Sequence, residues 1–232
     1  MYFDITYLII VLPCLIIAMI ASGNVKHTFN KYNKQLSVKN ITGAEAAQRV
    51  LHANGIRNVQ ISRVSGDLTD HYDPQANTIR LSESVYDSTS TAAIGVACHE
   101  AGHAVQYAQN YGPIKLRAAI IPVTNIGSKL AMPLILVGIL LSSLGQMSTI
   151  FIDIGIICFS LSVVFQLITL PVEFNASNRA LKSIAGQEIL TEQELKGAKK
   201  TLRAAAMTYV AATAVALAQL LRLVILFARR DD

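Results

Sequence analysis

The segment His99-Glu100-Ala101-Gly102-His103 combines two imidazoles and a carboxylate at a spacing that suits metal chemistry. On a helix, residues four positions apart lie on one face, so both histidines can bind one metal ion. Glu100 is rotated by about 100° from His99 and can reach a water molecule beside that ion. The segment therefore predicts a zinc centre with Glu100 as the general base for peptide hydrolysis.

A catalytic zinc normally takes three protein ligands and leaves one position for water. Glu173 is our candidate for the third ligand, because it follows Pro171, which we expect to end an apolar span, on the same predicted side as His99. Alternatively, Glu173 is only a carboxylate in the first turn of a new helix, where the helix dipole stabilises it. The remaining candidates all lie upstream: Asp67, Asp70, His71, Asp73 and Asp87.

Several further residues could contact the substrate. His71 could be a ligand or a substrate contact, although an ordinary loop histidine is the simpler interpretation. Tyr209 could polarise the scissile carbonyl, but tyrosines are also frequent at membrane interfaces. Residues 78–82 alternate in polarity and predict a short edge strand, along which a peptide could lie, or an ordinary structural strand. The polar loop at residues 66–74 is a candidate gate.

The composition is that of a membrane protein. Hydrophobic residues make up 52% of the chain and charged residues only 15%, whereas about a quarter of a soluble domain is charged. Four apolar stretches predict transmembrane helices, at residues 5–21, 130–144, 150–171 and 204–228, and the second could extend back to Ile114. The first follows Met1-Tyr2-Phe3-Asp4. It lacks the basic leader of a cleaved signal peptide, and we expect a retained anchor.

Polar segments 22–129 and 172–203 separate these spans, and we expect them to build the active site of a single domain covering residues 1–232. Local signals predict a helix that opens with a capping box at Thr42, a strand at residues 59–64 and a helix at residues 91–109. A second capping box at Thr191 predicts one long helix that continues into the last span. The predicted fold class is a mainly α membrane protein with a small β element and about four transmembrane helices.

The charge pattern predicts an orientation. Segment 22–129 carries eleven Lys and Arg residues and segment 172–203 carries six. With four spans both segments fall on one side of a multi-pass cell-membrane protein, and the positive-inside rule makes that side cytoplasmic. Arg229 and Arg230 count the other way.

The remaining composition argues against other function classes. The net charge is +5, and the Lys and Arg residues are scattered along the chain without an aromatic-basic platform. We therefore expect no nucleic-acid partner. The three cysteines form no C-x-x-C motif and are expected to be small hydrophobic residues: Cys14, Cys98 and Cys158.

Five strings spread along the chain resemble the YugP-type neutral zinc metallopeptidases of bacterial membranes. They are residues 70–74, 79–82, 99–107, 169–181 and 208–212. The architecture is also similar to that of the HtpX-like membrane gluzincins, which place a hydrophobic hairpin between H-E-x-x-H and a third-ligand Glu. The resemblance implies that Glu173 is the third zinc ligand. The HtpX-like pattern often has an Asp four residues later, where this chain has Ser177, followed by Arg179.

These observations predict a membrane-bound zinc endopeptidase with His99, His103 and Glu173 as ligands and Glu100 as general base. Ser177, Arg179, His71 and Tyr209 are possible supporting or substrate-contacting residues. The expected partners are a protein or peptide substrate and the lipid bilayer. The alternative function is a zinc-stabilised membrane scaffold or assembly factor without proteolysis. A transporter is a third possibility, but Asp153 and Arg222 are too few intramembrane charges to outline a pathway.

Overall fold

The structure is a computed structural model that describes residues 5–228, so the leader at residues 1–4 and Arg229-Arg230 lie outside the described part. A π-helical turn at Tyr7–Val11 leads directly into the first α-helix. The α-helices are α1 (Leu12–Tyr32), α2 (Gly43–Ala53), α3 (Glu83–Tyr86), α4 (Thr91–Ala108), α5 (Gly112–Leu140), α6 (Gln146–Gly186) and α7 (Glu192–Ala228). The strands are β1 (Gln60–Val64), β2 (His71–Asp73) and β3 (Thr78–Ser82), and a 3₁₀ turn spans Ser142–Leu144.

Four of these helices are long and apolar enough to cross a membrane, as the composition predicts: Tyr7–Tyr32, Gly112–Leu140, Gln146–Gly186 and Glu192–Phe227. Large apolar side chains along them are exposed, for example Leu140 at 81%. Exposed apolar surface of this kind suits contact with lipid. The second candidate span differs from the predicted 130–144, because α5 begins at Gly112 and tolerates Pro122 and Pro133 in its interior.

The chain divides into two compact units. The apolar unit contains, within the described residues, 5–20, 116–170 and 209–228. Its helices α5 and α6 approach closely where they carry glycine: a Cβ on Gly155 would lie 2.9 Å from the Ala131 carbonyl oxygen, and one on Gly138 would lie 2.9 Å from that of Ser148. Small residues at such contacts are typical of helix packing in lipid, where backbone approach replaces the hydrophobic effect.

The site unit contains residues 21–115 and 171–208. A core of fully buried apolar side chains holds it together, including Leu51, Ile79, Leu81, Ile94 and Ile184. Both predicted capping boxes are present. The Thr42 hydroxyl accepts from the backbone of Glu45, whose side chain accepts from the backbone of Thr42. Thr191 and Glu194 repeat the arrangement at the start of α7, and α7 continues into the last candidate span as expected.

The sheet has the order β1-β3-β2. Strand β3 pairs in parallel with β1 and antiparallel with β2, so it is the central strand. The prediction that residues 78–82 form an edge strand is therefore wrong. The alternation is present, but β2 lies inside the segment 66–74 that was expected to be a loop, and its three residues are too few to show a strand pattern.

Pro171 does not end the third span, contrary to expectation. Helix α6 continues without a break from Gln146 to Gly186, with Pro171 in its interior. A proline removes one backbone donor from a helix, but apolar helices tolerate this loss when neighbouring groups satisfy the freed carbonyl. No helix starts near Val172, and Glu173 is an interior residue. The alternative interpretation of Glu173 as a first-turn carboxylate therefore does not hold.

Replacing Thr42 by Ala should destabilise the protein, because Ala cannot accept the hydrogen bond that caps α2. Loss of such a cap typically costs about 1 kcal/mol, which lowers the Tm of a chain of this size by roughly 2–4 °C. Thermal unfolding of the detergent-purified protein measures the effect. Thr42→Ser keeps the hydroxyl and serves as the control. Equal Tm values for the Ala and Ser variants would contradict the role of the cap.

Candidate metal centre

Helix α4 presents His99 and His103 on one face. It begins after Ser90, whose hydroxyl accepts a hydrogen bond from the Ala93 backbone. The rings of the two histidines lie 4.7 Å apart between centroids and meet nearly at right angles, at 82°. This is the one-turn spacing that the sequence motif predicts.

Helix α6 brings Glu173 to the same point. Its Oε2 atom lies 3.3 Å from His99 Nε2 and 3.6 Å from His103 Nε2. Within residues 5–228, His99, His103 and Glu173 form the group of His, Cys, Asp or Glu residues that could share one metal ion. Their ligand atoms all lie within 4.8 Å of one another. Two imidazole nitrogens and one carboxylate oxygen are a donor set that zinc prefers in catalytic sites. The residues therefore fit a zinc ion with an open position.

Gly102 permits α4 and α6 to approach each other. A Cβ atom at this position would lie 2.6 Å from the carbonyl oxygen of Ala176 and 3.2 Å from its carbonyl carbon. Backbone atoms of a helix cannot move aside locally, so a larger residue would separate the two helices. The convergence of Glu173 with the histidines therefore depends on the absence of a side chain at Gly102.

The Nδ1 atom of His103 is held by Gln106, at 3.0 Å from its Oε1 atom. The amide nitrogen of Gln106 donates to the carbonyl oxygen of Val172 at 2.8 Å and to Oδ1 of Asn175 at 3.0 Å. Because its nitrogen is committed to these acceptors, the oxygen of Gln106 must face His103. His103 then carries its proton on Nδ1, and its Nε2 lone pair points toward Glu173 and His99.

Arg179 sets the direction of this chain of hydrogen bonds. Its Nε donates to Oδ1 of Asn175 at 2.6 Å, and a guanidinium nitrogen donates to the side chain of Gln109. Since Arg can only donate, Asn175 must present its oxygen. We predicted a supporting contact for Arg179 from the sequence, whereas Gln106 and Asn175 were missed. The position of Gln106, three residues after His103 on one helix, was the available signal.

Ser177 contacts the other histidine. Its hydroxyl lies 3.1 Å from Nδ1 of His99, so His99 can also keep its proton on Nδ1 and direct Nε2 toward Glu173. This residue stands where the HtpX-like pattern often has an Asp. A hydroxyl orients the ring without adding a negative charge.

Glu100 is buried beside the sheet. Its Oε2 atom accepts a hydrogen bond of 3.0 Å from the backbone N–H of Tyr72, on β2. No hydrogen bond from the described residues reaches its Oε1 atom. One carboxylate oxygen thus fixes the side chain, and the other is left for a water molecule. The Tyr72 N–H points away from β3, so the outer edge of β2 faces Glu100.

Charges around the histidines favour a cation. Burial would lower the pKa of His103, but the hydrogen bond to Glu173 and the negative charges of Glu100 and Glu173 outweigh it and raise that pKa. Burial also raises the pKa of Asp70, and the charge of Glu100 adds to the effect, while hydrogen bonds from Ser82 oppose it. A centre of this kind stabilises positive charge placed among its carboxylates.

The upstream ligand candidates have other contacts. Asp70 accepts from the backbone and hydroxyl of Ser82, Asp73 accepts from the turn at Gln75 and Ala76, and Asp87 pairs with Arg63. His71 is exposed on β2, with Nδ1 2.8 Å from the carbonyl oxygen of Thr69. Neither these residues nor the exposed Asp67 belongs to the described group of convergent ligands. Tyr209 belongs to the apolar unit, and its role stays a prediction.

Gly102→Ala should reduce the metal content of the purified protein, because the new methyl group forces α4 and α6 apart. Overpacking of this kind costs about 1–3 kcal/mol of stability. Metal analysis after dialysis and thermal unfolding together measure the change. Gly186→Ala is the matched control on α6, since no atom lies within 4 Å of its added Cβ. Equal metal content in both variants would show that the helices need no such contact.

Gln106→Met should weaken metal binding by about 10- to 100-fold, the usual effect of losing a residue that orients a ligand. Met has nearly the same length as Gln, but its thioether is only a weak acceptor for the hydrogen bond from Nδ1 of His103. Zinc affinity is measured by competition with a chelator. Gln48→Met, on the exposed face of α2, provides the control. Unchanged affinity in Gln106→Met would mean that His103 does not need its partner.

Comparison with known proteins identifies the family of this chain. Residues 7–228 match the model of a family described as "Putative neutral zinc metallopeptidase". The chain is 49% identical over 212 residues to the "Putative membrane protease YugP" of Bacillus subtilis (strain 168), covering 91% of this chain and 92% of that protein. No solved structure matches the chain. Because the match covers nearly the whole chain, this protein belongs to this family of neutral zinc metallopeptidases.

Proposed function

We propose that this protein is a membrane-bound, zinc-dependent endopeptidase. His99, His103 and Glu173 hold the zinc ion, and Glu100 is the general base. The observation that carries the proposal is the convergence of the three ligand atoms within 4.8 Å of one another, on two helices that also place the carboxylate of Glu100 one residue from His99.

The hydrogen bonds around the ligands support a catalytic ion. Both histidines have their Nδ1 atoms engaged, by Ser177 and by Gln106, so the Nε2 atoms are left as ligands. Structural zinc sites are normally closed by four protein ligands. The described residues offer three here, which favours a peptidase over a zinc-stabilised scaffold.

Zinc, when bound, supplies Lewis acidity that polarises a peptide carbonyl and acidifies water. Glu100 is placed to accept a proton from the attacking water at Oε1, since Oε2 is held by the Tyr72 N–H. The same carboxyl then delivers the proton to the leaving amine, and the peptide bond breaks. Burial of Glu100, at 8% exposure, limits competing bulk water and strengthens the electrostatic interactions at the site.

The substrate is proposed to lie along the outer edge of β2 rather than along β3. Strand β3 has neighbours on both sides, whereas β2 has a free edge that faces Glu100 through Tyr72. A peptide in extended form could pair with the main chain of such an edge, which requires no particular side-chain sequence. An extended segment of a protein or peptide is thus the expected substrate class.

We place the site on the cytoplasmic side of a multi-pass cell-membrane protein. The site unit, residues 21–115 and 171–208, contains 15 of the 20 Lys and Arg residues. Arg117 and Lys129, on the part of α5 that belongs to the apolar unit, complete the 17 of the two polar segments. A concentration of basic residues beside apolar spans marks the cytoplasmic side of bacterial membrane proteins.

Glu100→Gln should keep zinc and lose hydrolysis by about 10²- to 10⁴-fold, because the amide cannot accept the proton. Glu173→Ala should lose most of the zinc as well, since it removes a ligand. Zinc content and cleavage of β-casein by detergent-solubilised protein are measured side by side. The exposed Glu83→Gln is the control, with both properties intact. Full hydrolysis in Glu100→Gln, or full zinc retention in Glu173→Ala, would contradict these roles.

A further inference from the structure

A cavity of about 370 Å³ lies in the site unit, and none of its lining residues belongs to the candidate metal centre. It opens between the C-terminal half of α1 and the N-terminal half of α7. Three permanently charged side chains line it: Lys31 from α1, and Lys200 and Arg203 from α7. His27 and Thr28 add polar groups from α1, and no acidic residue contributes to the wall.

The positive charges of this cavity are not compensated within the described chain. Lys31 lies over the ring of Tyr32, with Nζ 5.6 Å from the centroid. Among residues 5–228, no carboxylate forms an ion pair with Lys31, Lys200 or Arg203. Three like charges around one cavity repel one another unless an anion occupies it. An anion with several oxygen atoms would satisfy both the two ammonium groups and the guanidinium.

The polarity of the cavity changes along its helices. The C-terminal half of α1 follows the uncharged apolar stretch at residues 5–21, and α7 continues into the one at residues 204–228, so the two helices run past the cavity in opposite senses. The end nearer the apolar stretches carries Ala204 and Met207, and the far end carries Lys31 and Lys200. Lys31 lies seven residues beyond Asn24, which is about 10 Å along a helix. The occupant should therefore be charged at one end and apolar at the other.

We propose that this cavity binds the headgroup of an anionic phospholipid, with its phosphodiester between Arg203, Lys31 and Lys200. The planar guanidinium of Arg203 can hold two phosphate oxygens at once, and the lysines act as point charges beside them. The glycerol and the first methylenes of the acyl chains lie against Ala204 and Met207. The cavity has the size of small-molecule sites, which run from about 300 to 1,000 Å³. Basic pockets beside transmembrane helices are known to hold such headgroups.

The chain offers a matched pair of variants on one helix. Lys200→Gln with Arg203→Gln removes two charges from the cavity, whereas Lys196→Gln with Lys199→Gln removes two exposed charges of α7 that do not line it. Binding of phosphatidylglycerol and of phosphatidylcholine to each detergent-purified protein is measured by native mass spectrometry. The wild type should prefer phosphatidylglycerol. The cavity variant should bind it roughly 10- to 30-fold more weakly, and the control variant within about twofold of wild type.

Three results would overturn the proposal. An equal loss in the two double variants would mean that overall surface charge attracts the lipid. Equal binding of the two lipids by the wild type would mean that the cavity does not select for a negatively charged headgroup. Displacement of phosphatidylglycerol by inorganic phosphate, at an ionic strength matched with chloride, would assign the cavity to free phosphate. All four substituted side chains are exposed, so we expect both double variants to fold. Unchanged metal content in each variant checks that expectation.

Discussion

The contact between the backbones of α4 and α6 at Gly102 is the constraint on which the metal centre depends. The proposed ligands come from two helices, and their atoms converge because Gly102 presents a hydrogen atom, and no side chain, to the backbone of α6 at Ala176. Neither helix supplies the complete set alone, since His99 and His103 lie on α4 and Glu173 lies on α6. The apolar core of the site unit, with Ile94 and Ile184 fully buried, holds the two helices at that distance.

The two histidines are oriented by different means. Gln106 offers His103 a fixed acceptor, because its amide nitrogen is held by Val172 and Asn175, and Arg179 fixes Asn175 in turn. The hydroxyl of Ser177 can rotate and either donate to or accept from His99. The orientation of His103 is thus fixed by the Arg179 guanidinium, which acts through Asn175 and Gln106, whereas the Ser177 hydroxyl is compatible with either tautomer of His99. This difference makes His103 the more firmly oriented of the two proposed histidine ligands.

Sequence patterns predicted the parts of the structure that local chemistry determines. The motif helix, both capping boxes and the four apolar helices depend on neighbours a few residues apart, and the structure contains them. The errors concern tertiary context. Pro171 was expected to end a helix, but an apolar helix can continue through proline. Strand β3 was expected at an edge, because a three-residue partner such as β2 is invisible as a pattern. Gln106 was missed since a lone glutamine carries no motif.

The order of the ligands along the chain has a consequence for how the protein is made. The ribosome delivers His99 and His103 before α5 and before most of α6, and Glu173 follows only near the end of this hairpin. A nascent chain therefore carries an incomplete ligand set until its two apolar helices have been synthesised. On the proposed assignment, unfinished protein cannot hold zinc firmly or cut its neighbours. Completion of the proposed metal centre is thereby timed by the synthesis of the chain itself.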